Sequence, residues 1–263
     1  MDLGVSGRAY AVIGGSRGMG FETARILAQD GARVAIISRA PEVAADTLAR
    51  ETGAQVAGFA ADIAAAGALE SVLAAAKGAI GPLRGLALTN HFMGQTRGFA
   101  DMPDAEWHEY FQNSLMAAVR TCRAVLPDMA EQGGGSVVLT SAFSSRSPKP
   151  FIPAYAAFKA ALNNLTKTLA KDYGPRGVRV NAVAPGAIRT GRYEERLAVM
   201  RAANPAVPLA EAESRMLETM GMKVALNRIG EAREVADVIA FLLSERAAYA
   251  TGIIANVDGG TDF

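Results

Sequence analysis

Ala9-Tyr-Ala-Val-Ile-Gly14-Gly-Ser-Arg-Gly18-Met-Gly20-Phe-Glu-Thr-Ala-Arg-Ile-Leu-Ala28 is the stretch from which the fold can be read. A short apolar run ends in a glycine-rich turn, and an amphipathic helical pattern begins directly behind it. Glycine reaches positive φ and lets backbone come close to a ligand. A helix that starts at such a turn offers free N–H groups and a partial positive charge, which suits a pyrophosphate. A tight turn alone would explain one or two of these glycines but hardly all four between positions 14 and 20. Gly14, Ser16, Arg17, Gly18, Met19 and Gly20 are therefore expected to bind a dinucleotide.

The same alternation continues to the end of the chain. Apolar strand patterns fall at 9–14, 33–38, 55–60, 85–90, 136–141, 178–184 and 252–257, and helical patterns at 18–30, 41–51, 66–79, 104–131, 153–173 and 231–244. Unbroken apolar strands alternating with helices predict a parallel sheet covered on both faces. The expected fold is α/β: a single Rossmann-type domain over 1–263, doubly wound, with about seven strands. One region breaks the pattern. At 191–228 charges and prolines (Asn204-Pro205, Val207-Pro208) interrupt a helical periodicity, which reads as a helical insertion over one edge of the site.

Composition narrows the function classes. The 263 residues are 50% hydrophobic and 20% charged with a net charge of +1, and no basic face or acidic tail stands out. Nucleic acid and anionic membrane are poor partners for such a chain. The start lacks a basic-then-apolar leader and no apolar run reaches bilayer length, so a cytoplasmic protein is expected. Cys122 is the one cysteine and reads as a packed side chain. No Cys/His/acid cluster has metal-ligand spacing, so no metal is expected.

Two further stretches suggest chemistry. In Tyr155-Ala-Ala-Phe-Lys159 the phenol and the ammonium lie one helical turn apart, so both can enter one cavity. A cation at that distance is expected to lower the phenol's pKa into a useful range for proton transfer. The second strand ends in Ser38-Arg39 with no acid, and Arg17 lies within reach from the glycine turn. An acid there would suit the ribose of NAD(H); two guanidinium forks favour the phosphate of NADP(H).

Taken together, the Gly14/Gly18/Gly20 turn, Asn113, Ser141, Tyr155/Lys159, Asn181-Ala-Val-Ala-Pro185-Gly186 and Asp258-Gly-Gly260 resemble the short-chain dehydrogenase/reductase family across almost the whole chain. Among its members the chain looks most like NADPH-dependent ketoreductases, including 3-oxoacyl-carrier-protein reductases. The resemblance implies that Tyr155 is the proton donor or acceptor and that Lys159 tunes it and holds the nicotinamide ribose. It implies further that Ser141 binds the substrate oxygen and that Asn113 holds a water behind Lys159. Asp62 and Ile63 would contact the adenine, Asn90 would lie on the adenosine side, and Pro185, Gly186, Ile188 and Thr190 would border the nicotinamide.

Three departures from the family pattern bear on these roles. Ile13 stands where a threonine is usual, Thr89-Asn90-His91-Phe92 replaces Asn-Asn-Ala-Gly, and the interval from Ser141 to Tyr155 is one residue longer than usual, which leaves Ser144 and Ser145 as alternatives. His91 reads as a hydrogen-bonded structural residue, with a substrate-facing position as the alternative. The expected substrate is a ketone or secondary alcohol, apolar or acyl-type, free or bound to CoA or an acyl carrier. The apolar side chains of the insertion, Tyr193, Met200, Leu209, Met216, Leu217, Met220 and Met222, suggest such a substrate or else ordinary helix packing. A dimer or tetramer is expected, built on helices 104–131 and 153–173 with help from the tail 252–263. The altered 89–92 segment motivates another reading, a non-catalytic NADP(H)-binding sensor or assembly protein.

Overall fold

Seven parallel strands form the centre of the molecule, β1 (Ala9–Ile13), β2 (Arg33–Ser38), β3 (Val56–Ala60), β4 (Leu83–Leu88), β5 (Gly135–Thr140), β6 (Val178–Pro185) and, last in the chain, a strand at Ile254–Val257. The structure is a computed structural model that describes residues 2–65 and 67–261. A pair of two-residue strands, β7 (Ile188–Arg189) and β8 (Gly230–Glu231), stands apart, so the last sheet strand is β9. The sheet order is β3-β2-β1-β4-β5-β6-β9. Connections run outward in both directions from the β1/β4 boundary, which opens a crevice at the carboxyl ends of these strands.

Both faces of the sheet are apolar because both are covered. All five residues of β1 are buried. Ala9, Ala11 and Ile13 face α3 (Ala68–Ile80), α5 (Ala117–Glu131) and α6 (Pro153–Tyr173). Tyr10 and Val12 face α1 (Gly18–Gln29), α2 (Glu42–Thr52) and α9 (Ala232–Leu243). Each fully buried Val, Ile or Leu contributes about 1.5–3 kcal/mol, so two continuous layers of them specify the register strongly. The expected helix at 66–79 is seen at 68–80; residue 66 lies outside the described residues, as do 262 and 263 of the apolar tail.

The single helix expected at 104–131 is divided. α4 (Asp104–Tyr110) passes into a π-helical turn at Phe111–Met116 before α5 begins. Widened turns of this kind commonly sit beside functional sites. Here the turn leaves the Asn113 carbonyl to accept a hydrogen bond from the Asn90 side-chain amide at 2.8 Å. That partner comes from the end of β4, so no local pattern marks the break. The 191–228 insertion contains α7 (Gly191–Ala203) and α8 (Leu209–Thr219), which form their own apolar cluster around Met216, Leu217 and Met222.

Candidate active site

The carboxyl ends of β1, β4, β5 and β6 border a cleft of about 950 Å³, closed on one side by the α7–α8 insertion. Gly14, Ser16, Arg17, Gly18, Met19 and Gly20 all line it, with Gly14 and Gly18 at φ of 82° and 56°. The first turn of α1 has no capping side chain and no acid, so its N–H groups remain available to an anion. Close packing enforces the turn. A Cβ on Gly20 would lie 2.4 Å from the Thr89 hydroxyl, and one on Gly14 would lie 2.9 Å from the Asn90 nitrogen.

Two of the departures from the family pattern fit together here. Ile13 carries no hydroxyl to bind the neighbouring strand, yet the Thr89 hydroxyl donates to the Ile13 carbonyl at 2.8 Å. The Thr89 N–H donates to the same oxygen at 2.8 Å. The tie between the glycine turn and β4 is thus present with its donor on the opposite strand.

Ser38, Arg39, Asp62 and Ile63 line one end of the cleft. The Ser38 hydroxyl is buried and has no partner. The exposed guanidiniums of Arg17 and Arg39 form no ion pair among the described residues. The Asp62 carboxylate accepts from the Ala64 N–H at 3.0 Å, which stiffens its turn. Pro185, Gly186, Ile188 and Thr190 border the middle of the cleft; a Cβ on Gly186 would lie 2.8 Å from the Asp258 Cα. A bare helix start, two guanidiniums without ion pairs among the described residues and the buried unpartnered Ser38 hydroxyl suit a dinucleotide.

Tyr155 and Lys159 are both buried, on the first turns of α6 behind Pro153. The Lys159 ammonium donates to the Thr140 carbonyl at 2.7 Å and lies 5.6 Å from the Tyr155 ring centroid. Ser141, next to Thr140 at the end of β5, donates its hydroxyl to the Lys159 carbonyl at 3.1 Å. Ser144 and Ser145 do not line the cleft: Ser144 is fully buried, and Ser145 donates to the Ala142 carbonyl and accepts from Asn163. Asn113 lines the cleft, its side-chain amide donating to the Glu109 carbonyl at 3.0 Å.

The electrostatics differ from the expectation in one respect. Burial pushes the Tyr155 phenol well above the ordinary tyrosine range, and the phenols of Tyr193 and Tyr110 add to the rise. Burial also pulls Lys159 down to about 8. Desolvation therefore outweighs any lowering of the phenol by the cation, whose hydrogen bond goes to the β5 backbone. At neutral pH the phenol holds its proton and the amine is still mostly charged.

Sequence reasoning passed over several residues of the site. Thr140 supplies the carbonyl that anchors Lys159, and its own hydroxyl is buried without a partner at the cleft. Phe92, Met93, Phe143 and Ile152 join Tyr193, Met220 and Met222 to make one end of the cleft apolar. Of the insertion's other apolar side chains, Met200, Met216 and Leu217 pack within it, and Leu209 is exposed. Arg176 stacks on Tyr173, its guanidinium carbon 3.9 Å from the ring centroid, and pairs with Asp172 at 3.4 Å. His91 is exposed at the cleft, its ring edge-on to that of Tyr155.

Comparison with known proteins agrees with this architecture. Residues 13–262 match the family model described as enoyl-(acyl carrier protein) reductase. Human dehydrogenase/reductase SDR family member 4 is 35% identical, over 98% of this chain and 88% of its own length. L-Sorbose reductase from Gluconobacter frateurii, solved with NADPH and L-sorbose, superposes with a TM-score of 0.90 at 28% identity over 98% of both chains. An NAD⁺-bound xylitol dehydrogenase superposes at 0.85 with 25% identity, over 97% of this chain and 99% of its own. Sheet, cleft and insertion are all included in these matches, and the chain belongs to the short-chain dehydrogenase/reductase family of oxidoreductases.

Proposed function

We propose that this chain is an NADP(H)-dependent ketoreductase acting on a largely apolar ketone. The observation that carries the reading is the buried Tyr155–Lys159 pair beside Ser141 on the wall of the cleft. Tyr155 keeps its proton at neutral pH and can give it to a carbonyl oxygen. Lys159 holds a positive charge behind the ring, which stabilises the phenolate left after transfer. The Ser141 hydroxyl is placed to swing from the Lys159 carbonyl to the substrate oxygen and steady its developing charge. The nicotinamide, when bound, supplies the hydride. Arg17 and Arg39 supply guanidinium forks for the 2′-phosphate of NADP(H), and the Gly14–Gly20 turn holds the pyrophosphate. Asp62, Ile63 and Asn90 flank the adenosine; Pro185, Gly186, Ile188 and Thr190 orient the ring. Pairing of copies through the α5 and α6 faces belongs to the same reading, and a stable monomer on sizing would refute it.

The test is NADPH and NADH oxidation with alicyclic, aromatic and β-keto thioester substrates, in the wild type and in Tyr155→Phe. Turnover is expected to favour NADPH and to fall by about 10²–10⁴-fold on loss of the hydroxyl. Unchanged turnover in the variant would remove Tyr155 from the mechanism. Tight NADPH binding without turnover of any substrate would support the sensor reading instead.

A further inference from the structure

A second concave site lies at the amino ends of the strands, the edge of the sheet opposite the cleft. A pocket of about 240 Å³ opens where β4, β5 and β6 begin, with Arg84, Arg179, Glu245, Ala248 and Thr251 among its walls. Three guanidiniums meet one carboxylate there. A single oxygen of Glu245 accepts from Arg8 and, at 3.2 Å, from Arg84, which also donates to the Gly134 carbonyl at 2.7 Å. Arg179 has no carboxylate partner among the described residues. Its fork donates to the Leu242 and Ser244 carbonyls at 2.7 and 2.8 Å. These close the end of α9 and bring only the partial negative charge of a helix terminus. Positive charge is therefore in excess. The Arg179 guanidinium registers the imbalance: burial, with Arg84 nearby, holds it below its ordinary range although Glu245 and Tyr10 pull the other way.

The protein behind these charges is close-packed. Tyr10 is fully buried, a Cβ on Gly85 would lie 2.6 Å from its ring, and its hydroxyl has no hydrogen-bond partner. Among the described residues the charges acting on that phenol are those of Arg8, Glu245, Arg84 and Arg179. Dry, low-dielectric packing on one side strengthens their pull on an anion entering from the other. Gly135, Gly174 and Gly177 line the pocket and put no side chain into it. We propose that this pocket binds a phosphate group, either inorganic phosphate or the end of a small phosphomonoester. Arg8 offsets the charge of Glu245, which leaves Arg84 and Arg179 for the anion. Their planar forks match the spacing of phosphate oxygens. Thr251 accepts from the Val180 N–H at 3.1 Å, so its hydroxyl proton is available as a further donor at the rim.

The test is calorimetric titration of the protein with inorganic phosphate and with glycerol 3-phosphate at low ionic strength. Ala248 is exposed at the pocket wall, so Ala248→Glu sets a carboxylate there without removing a native hydrogen bond, and Ala248→Gln controls for size. Ala248→Glu is expected to weaken binding by about 10-fold and Ala248→Gln by no more than about twofold. Glu245→Gln removes the one acid of the pocket and is expected to tighten binding by about 3–10-fold. Should that variant fail to fold, the two Ala248 variants decide alone. Phosphate held instead at the glycine turn of the cleft is recognised by its loss in Arg17→Ala, which leaves the pocket intact. Binding that survives Ala248→Glu unchanged, or that disappears in Arg17→Ala, overturns the assignment. So does a wild type that takes up neither ligand, in which case the three arginines serve the fold alone. Tighter binding of one ligand than of the other identifies which source of phosphate the pocket serves.

Discussion

Lys159→Met should make the protein more stable near neutral pH while removing its activity, and the gain should fade as pH rises. Lys159 is buried, and desolvation lowers its pKa from 10.5 to about 8. Between those values the unfolded chain holds a proton that the folded chain has released. Stability therefore rises with pH through this window; below about pH 8 the penalty for the buried ammonium is present in full, and above about pH 10.5 it is gone. At about 1.36 kcal/mol per unit the full penalty is roughly 3 kcal/mol. Methionine fills similar space without the charge, but it leaves the Thr140 carbonyl without its 2.7 Å donor, a loss of about 1 kcal/mol. The net gain for the variant at pH 7 is about 2 kcal/mol. Between pH 7 and 9.5 the difference between the two proteins should shift by about 2 kcal/mol in favour of the wild type. Urea unfolding of both proteins without cofactor, followed by circular dichroism at several pH values, measures this directly. Packing changes and the lost hydrogen bond affect the difference equally at every pH, so only the charge contributes a slope. A constant difference from pH 7 to 9.5 would show that Lys159 is not held charged against burial.

Arg39→Ala should weaken NADPH binding by about 10–100-fold in a fluorescence titration and leave NADH nearly unchanged, since a charge-assisted hydrogen bond contributes about 1.5–3 kcal/mol. Equal effects on both cofactors would move the 2′-phosphate elsewhere. Thr89→Val should lower unfolding stability by about 1 kcal/mol, because the Ile13 carbonyl keeps the Thr89 N–H but loses the hydroxyl. The same variant should raise the NADPH Kd, as Thr89 packs directly on Gly20. A Kd unchanged by the substitution would show that the turn is set without this contact.

How much could be read from the chain depended on whether the cause was local. Unbroken apolar runs and helical periodicity depend on nearby residues only, and they located the sheet, its flanking helices and the glycine turn to within a residue or two. The i,i+4 spacing correctly made neighbours of Tyr155 and Lys159, but spacing carries no information about burial depth. It therefore suggested the wrong direction for the phenol, whose pKa is set mainly by desolvation. The π turn at 111–116 is accompanied by a contact with Asn90, some twenty positions earlier. Leu209 and Met222 look alike in an apolar count, yet one is exposed and the other is buried at the cleft. Only the path of the insertion over the sheet edge separates them.

The 13/89 pair shows why departures from a family pattern need to be read jointly. Taken singly, Ile13 removes a hydroxyl from a strand end and Thr89 removes an amide from the facing one, and each looks like a loss at the nucleotide site. In three dimensions the two positions face each other across the β1/β4 boundary, and one threonine in either place can bind the opposite backbone. Ile13 is fully buried and packs in the apolar layer with Leu88, where a hydroxyl would need a partner of its own. Thr89 already meets that requirement through the Ile13 carbonyl, so the exchange keeps the hydrogen bond and adds apolar packing. The β1/β4 boundary therefore keeps its tie. Two positions beyond Thr89 the same segment sets the His91 ring edge-on to that of Tyr155, with centroids 5.8 Å apart.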